Sequence, residues 1–207
     1  MQAVNTIFYI AILVMSVVIH EVSHGFMAER FGDKTARHAG RLTLNPFNHL
    51  DLFGSILLPA LLYITSGFVF GWAKPVPYNP DNLSNRRWGT MWVALAGVLA
   101  NLLVAVFFSL IIRVAPMLGI DLPGSFYFIT SSIVLVNLAL MIFNLVPIPP
   151  LDGSKVLFSI LPGSFYKVSS FIEQYSLVLL IIFIFFFSDV LYPILSGLFK
   201  LLTGLNL

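Results

Sequence analysis

Cysteine is absent from all 207 residues, so no disulfide or thiolate nucleophile is available, and a transition metal can be held only through histidine, aspartate or glutamate. Charge is scarce as well. Asp, Glu, Lys and Arg make up 10% of the residues against 58% hydrophobic ones, and 20 positions are phenylalanine, a balance that a water-soluble domain of this size could not bury. The composition points to a multi-pass protein of the cell membrane. A net charge of +2 says little about partners, and no nucleic-acid partner is expected. Repeats, low-complexity tracts and an internal linker are also lacking, so residues 1–207 are expected to form a single domain. The first apolar run has neither the basic flank nor the small-residue cleavage site of a signal peptide, and is read as a mature helix.

Apolar segments fall at roughly 4–29, 52–70, 89–115, 126–149 and 172–205, each near or above the ~20 residues a helix needs to cross a bilayer. The expected fold is an all-α polytopic membrane protein with about five to six transmembrane segments. Pro59, and the want of a second long apolar run before residue 89, favour a re-entrant or hairpin segment between the first two motif-bearing helices. The last segment is interrupted by Ser188-Asp189 and Pro193, which allows one kinked helix or two shorter ones.

Into the first apolar run is set His20-Glu21-Val22-Ser23-His24. Histidines four apart lie on one face of a helix, so both imidazoles can reach one zinc, and the adjacent glutamate can act as a general base toward water. Ionisable groups at membrane depth are costly and mark function by default. A third ligand is needed. The extended soluble motif would put a histidine six residues after His24, where the chain has Arg30. Glu29 belongs to the charged exit of the same helix, and Glu173 has no local support. Asp152 is better placed, because it ends Asn144-Leu145-Val146-Pro147-Ile148-Pro149-Pro150-Leu151-Asp152-Gly153, where three prolines stiffen irregular backbone of the kind tolerated at membrane depth only beside a cavity or inside protein.

With these motifs the chain resembles the site-2 protease family of intramembrane zinc metalloproteases. The resemblance runs through residues 20–24, Gly40-Arg41-Leu42-Thr43-Leu44-Asn45-Pro46 with His49 and Asp51, Gly71-Trp72-Ala73-Lys74-Pro75-Val76-Pro77, Gly97-Val98-Leu99-Ala100-Asn101 and 144–153, most of residues 16–160. It implies one Zn2+ per chain held by His20, His24 and Asp152, Glu21 as catalytic acid/base, and Asn101 and Asn144 as polar groups at the site. Leu52 departs from the proline expected after His49-Leu50-Asp51. The expected form is the minimal one, without a PDZ or nucleotide-sensing domain. The resemblance further implies a single-pass transmembrane substrate, such as a membrane-anchored regulator or a remnant signal peptide, cleaved within the lipid bilayer.

If 20–24 and Asp152 meet at one metal, their segments run the same way and the helix near 89–115 runs oppositely, so residues 30–88 begin and end on one side. That side then holds Arg30, Lys34, Arg37, Arg41, Lys74, Arg86, Arg87, Lys155 and Lys167, nine of the eleven basic residues, which makes it cytosolic and places the active site nearer that face. The stretch Phe70 to Asn79 is a candidate extended edge for an unwound substrate. His38 and His49 are read as structural or interfacial, Asp51 as a cap for a helix starting near Leu52, and Trp72, Trp88 and Trp92 as interfacial anchors. A membrane metal transporter would carry polar groups at several depths, and an inactive pseudoprotease scaffold would have lost a ligand or the glutamate. Enzyme is favoured over both.

Overall fold

Helix α1, Gln2–Arg30, contains no proline, and it ends where Gly32 takes a φ of 105°, a left-handed conformation that lets the amide of Asp33 turn back to the carbonyl of Ala28 at 2.9 Å. The computed structural model describes residues 2–51, 57, 61, 64 and 74–207. After α1 come a single turn, α2 (Thr35–His38), and two 3-10 turns, Pro46–Asn48 and Pro80–Asn82. Helix α3, Arg86–Met117, starts under the Asn85 side chain, which accepts from the Trp88 amide at 3.0 Å. Then follow α4 (Gly124–Asn144), α5 (Asp152–Ile160), a 3-10 turn at Gly163–Phe165, α6 (Tyr166–Gln174) and α7 (Ser176–Thr203). No strand occurs among the described residues.

Helix α3 is the hub, packing on α1, α4, α5 and α7. Its buried side is built from small residues, Gly89, Ala94, Ala96, Gly97, Ala105 and Ser109, and these let neighbouring backbones approach closely where lipid removes the hydrophobic drive for helices to associate. Val98, Ala105 and Ile112 of α3 meet Val134, Leu138, Met141 and Ile142 of α4 and Phe199 of α7 in the main core. Outward, Leu103, Phe107, Phe185 and Phe186 stay exposed, as hydrocarbon permits.

Direction follows from the contacts. Tyr9 meets Phe128 edge-on at 5.6 Å, so α1 and α4 start at one end of the bundle; Ser84 donates to the Phe31 carbonyl at 2.7 Å, so α3 starts where α1 finishes. Arg87 then caps α5 by donating to the carbonyls of Ser159 and Ile160. Residues 30 and 86 thus lie at the same end of the molecule.

The expected count of about five to six transmembrane segments is not met. Among the described residues three helices are long and apolar enough to cross a membrane, Thr6–Arg30, Arg86–Met117 and Gly124–Asn144, or four if Gly163–Gln174 and Ser176–Phe186 form one span bent by 70°. The broken pair is therefore C-terminal, whereas it was expected between the first two motif-bearing helices. Apolar run length was the wrong measure. A span must also be a continuous helix, and the chain turns sharply at Tyr175, after the amphipathic α6, which carries Lys167 and Glu173. The 52–70 segment itself, with the helix start assigned to Asp51, lies outside the described residues apart from 57, 61 and 64. The fourth apolar segment ends at Asn144 rather than 149, since Pro147, Pro149 and Pro150 cannot continue a helix.

Asp33 ties the end of α1 to the approach to α3. Fully buried, it accepts from the amide and hydroxyl of Thr35, from the Asn79 amide at 2.7 Å and from the Asn82 side chain at 3.0 Å. Burial opposes its ionisation, but these donors outweigh it and hold the carboxyl below its ordinary range. A depressed folded-state pKa contributes stability that is present in full above the unfolded value of about 3.9 and is lost as pH falls through the folded value. Asp33→Asn should therefore cost about 2 kcal/mol at pH 7. In unfolding of the detergent-solubilised protein, the gap from wild type should narrow below about pH 4; a gap independent of pH would contradict this account.

Candidate metal centre

His20 and His24 sit on the inner face of α1, both buried, with rings edge-on and centroids 4.6 Å apart. Each is held by its Nδ1. His24 Nδ1 donates to the Val93 carbonyl at 2.6 Å, and since a carbonyl only accepts, the proton is on Nδ1 and the lone pair on Nε2. His20 Nδ1 bonds Asn101 Oδ1 at 2.6 Å, with the same result. Both partners belong to α3. The rings reach them because position 97 is glycine: a Cβ there would lie 2.6 Å from Cε1 of both imidazoles and 2.7 Å from His20 Nε2.

Asp152 arrives from far along the chain. The segment 145–151, with a cis Pro149–Pro150 peptide, ends α4 and delivers Asp152 as the first residue of α5. Gly153 rests against the carbonyl of Leu145 with no room for a side chain, which seats this turn tightly on the end of α4. Asp152 Oδ2 then stands 3.0 Å from His20 Nε2 and 3.1 Å from His24 Nε2. The three donor atoms lie within 4.8 Å of one another, all on buried residues. Two imidazole nitrogens with settled tautomers and one carboxylate oxygen are the donor set of a zinc site that keeps a position open for chemistry. His20, His24 and Asp152 can coordinate a single zinc ion.

Each carboxylate beside the metal position is anchored from outside the motif. Lys155 donates to Asp152 Oδ1 at 3.0 Å and lies 5.9 Å from the Tyr78 ring centroid, leaving Oδ2 to face the histidines. Glu21 Oε2 accepts from the Val76 amide at 2.9 Å. Around Val76 the chain is in neither helix nor turn: Lys74 N donates to the His49 carbonyl at 2.9 Å, and Arg41 Nη2 reaches the carbonyls of Lys74 and Pro75. With the amides of 74 and 76 engaged and prolines at 75 and 77, this stretch has only carbonyls to offer a substrate strand. That narrows the expected edge role of residues 70–79, of which 70–73 are outside the described residues.

Asn101 is at the centre, bonded to a histidine rather than aimed at open space. Asn144, the last residue of α4, donates from Nδ2 to the Leu140 carbonyl of its own helix at 2.9 Å. His38 is exposed at the end of α2; His49 is buried, with Nε2 bonded to the Thr43 carbonyl. Trp88 and Trp92 are exposed, and Trp72 lies outside the described residues. Sequence reasoning missed Lys155, although a lysine three residues after a helix-starting aspartate was a usable signal. It missed the Val76 amide, for which no signal exists, and the contact of both imidazoles with position 97.

Comparison with known proteins bears on the same residues. A family model described as peptidase family M50 matches residues 8–121 and 120–187. YwhC of Bacillus subtilis, provisionally named a zinc metalloprotease, is 37% identical over 192 residues, covering 89% of this chain and 84% of that protein. Rip2 of Mycolicibacterium smegmatis, named likewise, is 32% identical over 151 residues, 73% of this chain and 56% of its own length. Rip2 of Mycobacterium tuberculosis is 28% identical over 188 residues, 87% and 70% of the two chains. No solved structure matches.

Gly97→Ala gives a direct check on the geometry. The methyl group must displace both imidazoles, so zinc affinity, read by chelator competition, should fall by about 10-fold or more, the scale of a disturbed ligand shell. Gly124→Ala, where a Cβ meets nothing within 4 Å, should leave affinity unchanged. Equal affinities in the two variants would show that the rings do not depend on position 97.

Proposed function

Since this chain belongs to peptidase family M50 and is an intramembrane zinc metalloendopeptidase, we propose that His20, His24 and Asp152 are its zinc ligands and Glu21 its catalytic acid/base. The observation that carries the reading is the convergence of three buried donors, two from α1 and one from the start of α5, on one point beside Glu21. Zinc bound there supplies Lewis acidity for activating water and polarising a peptide carbonyl. Glu21 takes a proton from water and returns it to the leaving amine, while its other oxygen stays on the Val76 amide. Asn101 acts through His20 by fixing the ring. Asn144 contributes at the substrate, through its backbone or the developing oxyanion.

Substrates are cleaved within the bilayer, and the finer proposal is a single-pass transmembrane protein, a membrane-anchored regulator or remnant signal peptide, whose helix unwinds locally to expose its carbonyl. Residues 1–207 act as one domain in this reading, with the active site nearer the cytosolic face. Support for the orientation comes from the basic residues Arg30, Arg37, Arg86 and Arg87, which gather at the end of the bundle where α1 finishes and α3 starts.

Asp152→Ala should release zinc, whereas Glu21→Gln should keep it and lose cleavage of a model transmembrane substrate, because only the first removes a ligand. Elemental analysis after dialysis reads the first and product formation the second; full zinc retention in Asp152→Ala overturns the ligand set. Asn144→Ala should retain zinc with kcat reduced by about 10²- to 10³-fold, the usual loss for one oxyanion donor. Unchanged turnover would leave Asn144 a packing residue. Single cysteines introduced into this cysteine-free chain should label from the cytosol at positions 35 and 84 and from outside at 121; labelling of 35 and 84 from opposite sides would overturn the topology, since the number of crossings between them would then be odd.

A further inference from the structure

Asn137 lies on α4, a full helix away from the metal ligands in sequence, and is completely buried. An amide at membrane depth is expensive unless every polar atom is paired, and here each one has a partner. Its Nδ2 donates to the Ile133 carbonyl and to Ser16 Oγ, both at 2.9 Å, and its Oδ1 accepts from Asn101 Nδ2 at 2.8 Å. Asn101, also fully buried, donates a second, longer bond to the Ser16 carbonyl at 3.3 Å and presents Oδ1 to His20 Nδ1 at 2.6 Å.

These bonds have one possible direction. The Ile133 carbonyl can only accept, so the NH2 of Asn137 must face it and Oδ1 must face Asn101. Asn101 must then turn its own NH2 toward Asn137 and its oxygen toward His20. His20 is left with its proton on Nδ1 and its lone pair on Nε2, the atom that stands 3.0 Å from Asp152 Oδ2. His24 needs no such relay, because its Nδ1 is set directly by a backbone carbonyl.

We propose that Asn137 is a positioning residue for zinc binding, acting through Asn101 to hold His20 in the tautomer that ligates through Nε2. The inference rests on the reading of His20 as a zinc ligand. Without an acceptor at 137, Asn101 keeps only its long bond to Ser16. That weak bond is then all that opposes a half-turn of the amide, which would offer NH2 to His20 Nδ1. The imidazole proton moves to Nε2, and the lone pair that faced the metal position is gone.

The test is zinc affinity of the purified full-length protein by chelator competition, with thermal unfolding measured alongside. Asn137→Leu, similar in size but without an acceptor, should weaken zinc binding by about 10-fold, in the range seen for partners of metal-ligating histidines. Asn137→Asp, which keeps an oxygen for Asn101 whether ionised or protonated, should come back to within about threefold of wild type. In an Asn101→Ala background, Asn137→Leu should add no further loss, because both changes break the same relay. Wild-type zinc affinity in Asn137→Leu, with only a lower unfolding temperature, would overturn the proposal in favour of simple helix packing. Additive losses with Asn101→Ala would overturn it too. If Asn137→Leu does not accumulate, Asn137→Asp decides: a loss beyond about 10-fold there is incompatible with an acceptor role. His20→Ala checks the underlying reading separately, since retention of wild-type zinc affinity in that variant refutes the ligand assignment whatever residue 137 does.

Discussion

Two imidazoles lie against the bare backbone of α3 at Gly97, closer than any side chain there would allow, and the rest of the bundle accommodates that contact. It requires α1 and α3 to cross with almost nothing between them, which the small residues along α3 make possible. It also places Val93 and Asn101, one helical turn to either side of Gly97, where they can take the two Nδ1 protons. Once both nitrogens facing α3 are engaged, both Nε2 atoms face the remaining open direction. Asp152 enters from that direction, on a turn that glycine and proline seat against the end of α4.

A polar site in hydrocarbon is sustained only if its surroundings leave nothing unpaired, because each unsatisfied group there costs several kcal/mol. The structure meets that demand with a shell of donors and acceptors one bond removed from the ligands. Asn101, Asn137 and Ser16 form its deep side, shared among α1, α3 and α4. Lys155 and the Val76 amide form its shallow side, each occupying one oxygen of a carboxylate so that the other is free for the metal position or for proton transfer. The same bonds that orient the site also tie α1, α3 and α4 together.

This arrangement explains how a chain with so few ionisable groups performs hydrolysis in a membrane. Charged groups gather in two zones, the triad with Glu21 and Lys155, and the end of the bundle where α1 finishes and α3 starts, where Asp33, Glu29 and Arg37, Asp81 and Arg86, and Arg87 knit the loops to the helix ends; a few others, Arg113 among them, lie elsewhere. Between these zones and the opposite end, the described surface is largely apolar, matched to lipid rather than to water.

The meeting of His20 and His24 on one helix face, and the helix break that delivers Asp152, were legible in the amino-acid sequence because their signals are local. A four-residue spacing puts two histidines on one helix face wherever that helix sits, and prolines at 147, 149 and 150 end a helix whatever surrounds them. The absence of cysteine and the surplus of apolar residues likewise settled the ligand types and the membrane setting without reference to any fold. The number of spans was not legible, since a bend of 70° at Tyr175 depends on how α6 and α7 pack and not on how apolar they are. Nor was the identity of the histidine nitrogen that faces the metal, the anchoring of Glu21 by a backbone amide, or the pairing of Asn101 with Asn137 rather than with substrate. Those follow from which atoms meet between helices, and helix crossing, unlike helix periodicity, is decided only when residues distant in the chain are packed against one another.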